Sequence, residues 1–342
     1  MTDIQQLKAM WRLLFGDTEA FISLYFNEVV RKENTRVIEE DGRIVSALYM
    51  LPYPFYIWGK EITSSYISGA ATLPEAQGRG LMQQLLVDSF KDMSRRNIPL
   101  STLIPADPWL FGFYEKSGYA TVFNYVQESY ELKDIRDNYL AIRIHPFEKL
   151  DIKLCQKYLD QQLHTRKSCV LHPLDNFRTI VCDYSLSDGK IWVAFEEDDI
   201  PAGIIFTVYK GDDSFLAKEF IYANEKVKEA LLQTAAVHYN VQKGIYRTPA
   251  TSDKGTPLGM ARIIDANEIL SAWSASYPEK NLQINLTDPL LPENNGGYRV
   301  ENGLCTKSDD FLTDPSCLVM NIAQLAQFLL LPEHPYMSLM FD

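Results

Sequence analysis

Residues 73–86 read LPEAQGRGLMQQLL, and their types suit the holding of a phosphate. Pro74 ends a strand-like run, Gln77-Gly78-Arg79-Gly80 makes a short loop, and a helical pattern begins at Leu81. The first N–H groups of a helix lack intrahelical partners and sit at the positive end of its dipole. Glycines let a pyrophosphate approach such groups closely, and Arg79 adds a positive charge. Two better-known phosphate motifs are excluded. No Gly-x4-Gly-Lys-Ser/Thr string occurs, and G-R-G-L-M-Q lacks the third glycine of a dinucleotide fingerprint. A second group of interest is FYEKSGYATV (113–122), with Tyr114 and Tyr119. A tyrosine has an unperturbed pKa of ~10 and stays protonated at neutral pH, which suits a proton donor. The first 144 residues contain no histidine, and all five cysteines (Cys155, Cys169, Cys182, Cys305, Cys317) lie further on. A histidine base or an acyl-cysteine is therefore not available within the N-terminal region. The cysteines form no C-x-x-C pair, which supports neither a disulfide framework nor a metal site.

The elements around these residues alternate. Thr18 is the expected N-cap of a helix carrying Phe21, Ile22 and Leu24. RVIEE (36–40) and RIVSALYML (43–51) form a hairpin joined at Asp41-Gly42. The strand EITSSYISGAATL (61–73) runs into the glycine loop. In the helix after it, Leu81, Met82, Leu85, Leu86, Phe90 and Met93 make an apolar stripe. A strand (98–105), a helix around 109–118 and a strand (119–132) follow. Part of this order recurs. EEDGRIVSALYMLPY (39–53) matches EEDDIPAGIIFTVYK (196–210) in pattern, SSYISGAATL is followed by a helix, and so is SFLAKEFIYA. Only the first copy has PEAQGRG between strand and helix; the second has NEK, so the chain carries an internal duplication with one glycine loop. TPATSDKGTPLG (248–259) is the expected linker to a third segment. That segment holds the strand and helix MARIIDANEILSAW, strands in NLQINLTD and GGYRVENGLC, and a helix (321–331) capped by Asn321. The expected domains are 1–133, 134–256 and 257–342.

Length and composition fit this plan. A chain of 342 residues has room for two or three domains, and 46% hydrophobic with 23% charged residues is ordinary globular composition. No window approaches the ~18 consecutive apolar residues of a membrane span, and the N-terminus does not read as a signal peptide. The cytoplasm is the expected compartment. A net charge of −12 argues against nucleic acid and suits a cationic small molecule, although solubility alone explains an acidic surface.

Pro74-x-x-Gln77-x-x-Gly80 resembles the acetyl-CoA loop of the GNAT acetyltransferases, and FYEKSGYATV resembles that family's helix end and following strand. Met82 stands where the signature has its last glycine. With the second, loopless copy and the C-terminal segment, the whole chain resembles the Eis-type (enhanced intracellular survival) N-acetyltransferases. The resemblance implies an α+β (mixed α/β) fold of tandem GNAT domains, each a central mixed β-sheet flanked by helices. It adds a C-terminal α+β domain of sterol-carrier-protein-like fold, and homo-oligomerisation is expected on this ground alone.

The implied activity is transfer of an acetyl group from acetyl-CoA to a primary amine (of a polyamine, an aminoglycoside-like compound or a lysine) by direct attack, without metal. The alternative from another class is a protein that binds or senses CoA or lipid without turnover. Ala70, Ala71 and Thr72 would hydrogen-bond the pantetheine arm, and Gln77, Gly78, Arg79, Gly80, Leu81, Met82 and Gln83 would surround the pyrophosphate. In many GNAT enzymes the proton donor corresponds to Tyr114; the Eis-type pattern favours Tyr119. The Eis-type resemblance also implies a terminal carboxylate as base, here Asp342, one residue beyond the aromatic Phe341. The apolar tail YMSLMF is expected to dock. His334 reads as a packing residue, and Asp17, Glu19 and Glu28 read as a solvated helix face, with an acidic contact to a polyamine as the other possibility.

Overall fold

Asp41 and Gly42, both at positive φ (51° and 75°), close a hairpin between β1 (Thr35–Glu40) and β2 (Arg43–Ile57). This two-residue geometry matches the right-handed twist of the flanking strands. A computed structural model of the chain describes residues 3–132, 142–196, 199–251, 255–308, 310–311 and 317–341. Helices α1 (Asp3–Leu14) and α2 (Glu19–Leu24) precede the hairpin. Thr18 caps α2, its hydroxyl accepting from the Phe21 N–H at 3.2 Å. β3 (Lys60–Thr72), α3 (Leu81–Arg95), β4 (Leu100–Leu103), α4 (Pro108–Glu115) and β5 (Ala120–Glu131) follow. In α3 the residues Leu85, Leu86, Phe90 and Met93 are buried, as the stripe requires.

Next come β6 (Arg143–Pro146), α5 (Ile152–Leu163), β7 (Ser168–Val170), α6 (Leu174–Leu186) and β8 (Lys190–Phe195). Sequence patterning left residues 142–186 without assigned elements. They are followed by β9 (Pro201–Gly211), β10 (Ser214–Tyr222), α7 (Glu225–Tyr239) and β11 (Lys243–Pro249). The duplication is visible in the pairing. β1, β2 and β3 are successive antiparallel neighbours and β3 pairs parallel with β4; β8, β9 and β10 repeat this with β11.

Both copies lie in one twelve-stranded sheet, ordered β1-β2-β3-β4-β12-β5-β11-β10-β9-β8-β6, with β7 paired to β2. The strand at its centre, β12 (Thr256–Ile263), comes from the expected third segment. It runs antiparallel to both β4 and β5 and joins them. The boundary expected at 256/257 thus falls inside a strand, and residues 256–259 of the expected linker belong to the sheet. β12 accommodates Pro257 and Gly259 through register shifts at both, as proline and glycine in a strand require.

The rest of the chain forms a second, four-stranded sheet, β15-β14-β13-β16, with helices α8 (Ala266–Ser276) and α9 (Ile322–Leu330). Its strands are β13 (Leu282–Thr287), β14 (Gly296–Glu301), β15 (Leu304–Lys307) and β16 (Leu318–Asn321). The α9 cap is a capping box of Asn321 and Gln324. The fold is a mixed α/β fold around one large mixed sheet. Among the described residues no helix is long and apolar enough to cross a membrane.

Candidate active site

β3 and β4 pair only over Ser64–Tyr66 and Leu100–Thr102 and then part. From Ile67 to Thr72, the edge of β3 facing β4 meets no strand among the described residues. Backbone groups on such an edge need partners. Opposite, the pairing with β2 shifts between Ala47 and Tyr49, so β3 bulges at Gly69-Ala70. Gly69 has φ +55°, and a Cβ there would lie 2.4 Å from the Trp11 ring and 2.8 Å from that of Tyr49. Only glycine fits this turn of the backbone. Sequence reasoning took Ala70, Ala71 and Thr72 as the pantetheine edge and missed Gly69, although a glycine inside a strand pattern is itself a bulge signal.

The loop after β3 joins it to α3 through two left-handed glycines, Gly78 (φ +73°) and Gly80 (φ +77°). A Cβ on either would meet no described atom within 4 Å, so backbone conformation and not crowding calls for glycine. Gly80 is the N-cap of α3 and makes no side-chain cap. The N–H groups of Leu81, Met82 and Gln83 therefore begin the helix without a side-chain cap, an arrangement that could receive an anion. Gln77 folds back, donating to the Thr72 carbonyl at 3.0 Å. Arg79 pairs with Glu40 across the loop (3.0 Å), which holds that carboxyl below its usual range and directs the guanidinium to β1. Met82 packs, with Ala70, against the cluster of Leu85, Leu86 and Phe90.

The open end of β3 faces a cavity of about 650 Å³. Its walls include Trp11, Phe15, Phe21, Ile67, Ser68, Gly69 and Ala70 on one side, with Leu110, Phe111 and Tyr114 of α4. Tyr125 of β5, Arg247 of β11 and Pro257 and Leu258 of β12 close the other side, and Phe341 of the tail completes it. Asp17 also lines the cavity, one carboxylate oxygen accepting from the Trp11 indole at 2.8 Å. Glu19 is taken up by Arg12 at 2.8 Å, and Glu28 is exposed away from the lining. His334 lies elsewhere, beside Leu331 and Pro332.

The two tyrosines part company here. Tyr114, near the end of α4, lines the cavity, and burial pushes its pKa up to about 12. The chain then turns at Gly118 (φ +83°), and the Tyr119 ring packs edge-on against that of Tyr114, their centroids 5.8 Å apart. Tyr119 is fully buried in the core, its hydroxyl 2.7 Å from Ser101 Oγ, and it is not part of the cavity lining. Gly118 has a packing reason as well. Arg262 of β12 inserts against it: its guanidinium donates to the Ser117 carbonyl at 3.0 Å and lies 4.5 Å over the Phe90 ring. Asp288 receives the same guanidinium in two 2.8 Å bonds, with both side chains wholly buried. Neither residue of this pair stood out in the sequence, since Arg262 sits in an apolar strand pattern.

The tail enters the cavity from the far side. The Phe341 carbonyl accepts from Ser68 Oγ at 3.1 Å, and Ser68 accepts from the Tyr25 hydroxyl at 2.8 Å. Tyr25 is fully buried, which raises its pKa well above 10 and keeps it a donor. Asp342, the expected base, lies outside the described residues. The structure thus brings Ala70, Tyr114 and Phe341 to one cavity, while Ala71, Thr72 and the loop Gln77–Gln83 continue beyond its lining and Tyr119 bonds Ser101 in the core. Among the described residues no group of His, Cys, Asp and Glu is arranged to hold a metal ion.

Residues 1–122 match the family model of the acetyltransferase (GNAT) domain. No curated protein matches the chain. Among solved structures, a GCN5-related N-acetyltransferase from Anabaena variabilis superposes with a TM-score of 0.76 at 18% identity, covering 98% of this chain and 96% of that one. One from Kribbella flavida gives 0.74 at 16% identity, with 94% and 85% covered. Eis1 from Mycobacterium abscessus gives 0.72 at 13% identity, with 95% and 86% covered. At such identities the likeness is one of fold, and it extends over both halves of the large sheet and the C-terminal sheet. Residues 1–122 are accordingly a GNAT acetyltransferase domain, and the chain is an enzyme of the acyltransferase class.

Proposed function

We propose that the protein transfers the acetyl group of acetyl-CoA to a primary amine of a small cationic acceptor, either polyamine- or aminoglycoside-like or a lysine side chain. The observation that carries this reading is one cleft. Its wall holds the bulged end of β3 (Ile67–Ala70), Tyr114 and Phe341 of the tail, and the same strand runs on through the glycine loop to the uncapped start of α3. The N–H groups of Leu81, Met82 and Gln83, with the Gln77-Gly78-Arg79-Gly80 loop, receive the pyrophosphate. The free edge Ala70–Thr72 hydrogen-bonds the pantetheine amides and leads the thioester to the bulge at Gly69. The acceptor lies among Trp11, Phe21, Phe111 and Tyr125, with Asp17 supplying negative charge near the aromatic faces.

In the reaction the ammonium first loses a proton to a carboxylate of Asp342, the residue after Phe341 in the sequence. The neutral amine attacks the thioester carbonyl, the C–N bond forms, the C–S bond breaks, and the positively charged nitrogen releases its second proton to solvent. Tyr114 gives its proton to the departing sulfur and recovers one from solvent. Tyr114 is preferred to Tyr119 as the acid because it lines the cavity, while Tyr119 bonds Ser101 in the core. The three-part organisation belongs to this reading: a catalytic GNAT unit, a second GNAT unit without the glycine loop, and a C-terminal unit of sterol-carrier-like fold. The enzyme would work in the cytoplasm.

Release of CoA thiol from acetyl-CoA, measured against polyamines, aminoglycosides and lysine peptides, tests the proposal. Acceptor-dependent thiol release with formation of the acetylated amine is expected. Tight CoA binding with no thiol release from any amine would overturn it in favour of a CoA-binding protein.

A further inference from the structure

The second copy has no glycine loop, yet it retains the strand that precedes the loop and the irregularity within it. Aligned as SSYISGAATL (64–73) and SFLAKEFIYA (214–223), the two copies place Glu219 opposite Gly69. Both strands break register at this point. β3 does so opposite Ala47 and Tyr49, and β10 between Ala217 and Glu219. In the first copy the bulge faces the cavity. In the second it turns a carboxylate into the interior, where Glu219 is 1% exposed.

Two partners of this carboxylate, Arg166 and Ser338, connect it to the tail. Arg166 donates to it twice, at 2.9 and 2.8 Å, and the Phe220 N–H donates at 2.9 Å. Burial alone would raise the Glu219 pKa, but the Arg166 charge and these bonds outweigh it and hold the group below its usual value. Its remaining partner is Ser338, whose hydroxyl donates to Oε2 at 2.6 Å. The Arg166 guanidinium also lies 4.9 Å over the ring of Tyr336. Tyr336 bonds β7 on both sides, its N–H to the Ser168 carbonyl and its carbonyl from the Val170 N–H, each 3.1 Å. One residue past Ser338 the chain bends at Leu339, a non-glycine at φ +55°, and reaches the cavity wall at Phe341.

A left-handed leucine is strained by about 1–2 kcal/mol and persists only where neighbours hold it on both sides. Here the holding points are Ser338 on Glu219 and Phe341 on Ser68. We propose that the second, loopless unit positions the tail in the first unit's active site, with Glu219 acting through Ser338 as a positioning residue. The bulge that opens the cofactor edge in one copy serves in the other as an anchor for residues 336–341. This inference rests on the reading that the tail takes part in turnover.

Two readouts on the full chain test it. Ser338→Ala removes one hydrogen bond to a buried charge, an interaction large enough for roughly tenfold effects. The expected results are a kcat about tenfold lower with the acetyl-CoA KM changed less than twofold, and release of the C-terminal residues by carboxypeptidase about tenfold faster at unchanged global Tm. Glu219→Gln acts in the same direction. It also leaves buried Arg166 unbalanced, so Ser338→Ala decides. A tail as resistant as in the unmodified chain, with unchanged kcat, overturns the proposal. If the tail is readily digested but kcat is unchanged, the anchor stands and the tail's role in turnover falls. If no variant and no unmodified protein releases thiol, the proposed acetyl transfer fails, and the carboxypeptidase rates still decide the anchor.

Discussion

Replacing each of the two tyrosines by phenylalanine separates chemistry from packing. Tyr114 lines the cavity, so Tyr114→Phe is expected to remove a proton donor and little else. General acids contribute roughly 10²–10⁴-fold, so a kcat about 10²-fold lower is expected, equivalent to ~2.7 kcal/mol of barrier. The acetyl-CoA KM and Tm should hardly change. Tyr119→Phe instead breaks the 2.7 Å bond to Ser101 and leaves that buried hydroxyl without its partner. The cost is stability, ~1–3 kcal/mol, seen as a Tm lower by a few degrees with kcat within about threefold. Because burial holds the Tyr114 pKa up to about 12, the donor remains protonated through the working range. The kcat/KM profile should therefore show no alkaline fall from this group below about pH 11. Steady-state thiol release and thermal melts on both variants decide the matter. Loss of turnover in Tyr119→Phe at unchanged Tm, with Tyr114→Phe active, would refute the reasoning.

Three further outcomes follow from packing and charge. Gly69→Ala should lower unfolding free energy by ~2–4 kcal/mol and raise the acetyl-CoA KM, because its Cβ would sit 2.4 Å from Trp11 on a backbone at φ +55°; denaturant melts and saturation kinetics measure both. Asp288→Asn leaves the buried Arg262 guanidinium without its counter-charge, and a loss of ~3–5 kcal/mol is expected in urea unfolding. His172 is fully buried, and burial lowers its pKa to about 4. The unfolded imidazole takes up its proton near pH 6.5 and the folded one does not until about pH 4. Its contribution is therefore complete above pH 6.5 and lost as pH falls towards 4, up to ~3 kcal/mol. Tm measured from pH 7 to pH 4.5 should fall less steeply in His172→Leu than in the unmodified chain.

Local signals in the sequence were reliable where the cause is local. Asp41-Gly42 encodes a hairpin because both residues tolerate positive φ, and Thr18 and Asn321 cap because their oxygens reach N–H groups three residues on. The α3 stripe and the duplicated strand order were legible for the same reason. Interactions between distant segments left no such trace. β12 pairs with strands more than 120 residues earlier, and its Thr-Pro-Gly composition reads as a linker because register shifts absorb those residues. Arg262 sits in an apolar run, and its partner Asp288 lies in a loop 26 residues on. The motif FYEKSGY could not tell which tyrosine meets the cleft. That depends on the turn at Gly118, which Arg262 of the same distant strand braces from behind.

The central position of β12 also bears on synthesis at the ribosome. Most tandem proteins let the first unit finish while the next is still being made. Here β4 and β5 are emitted early, but the strand that joins them ends at Ile263, another 132 residues after Glu131. At ~5–20 residues per second the nascent chain carries two open sheet edges for roughly seven to twenty-six seconds. The first unit thus closes only after every strand of the second has been made, and its completion waits on the segment that also supplies Arg262. Nascent chains stalled before residue 256 should be protease-sensitive and chaperone-bound, whereas those stalled well beyond 263 should already protect α3 and β4.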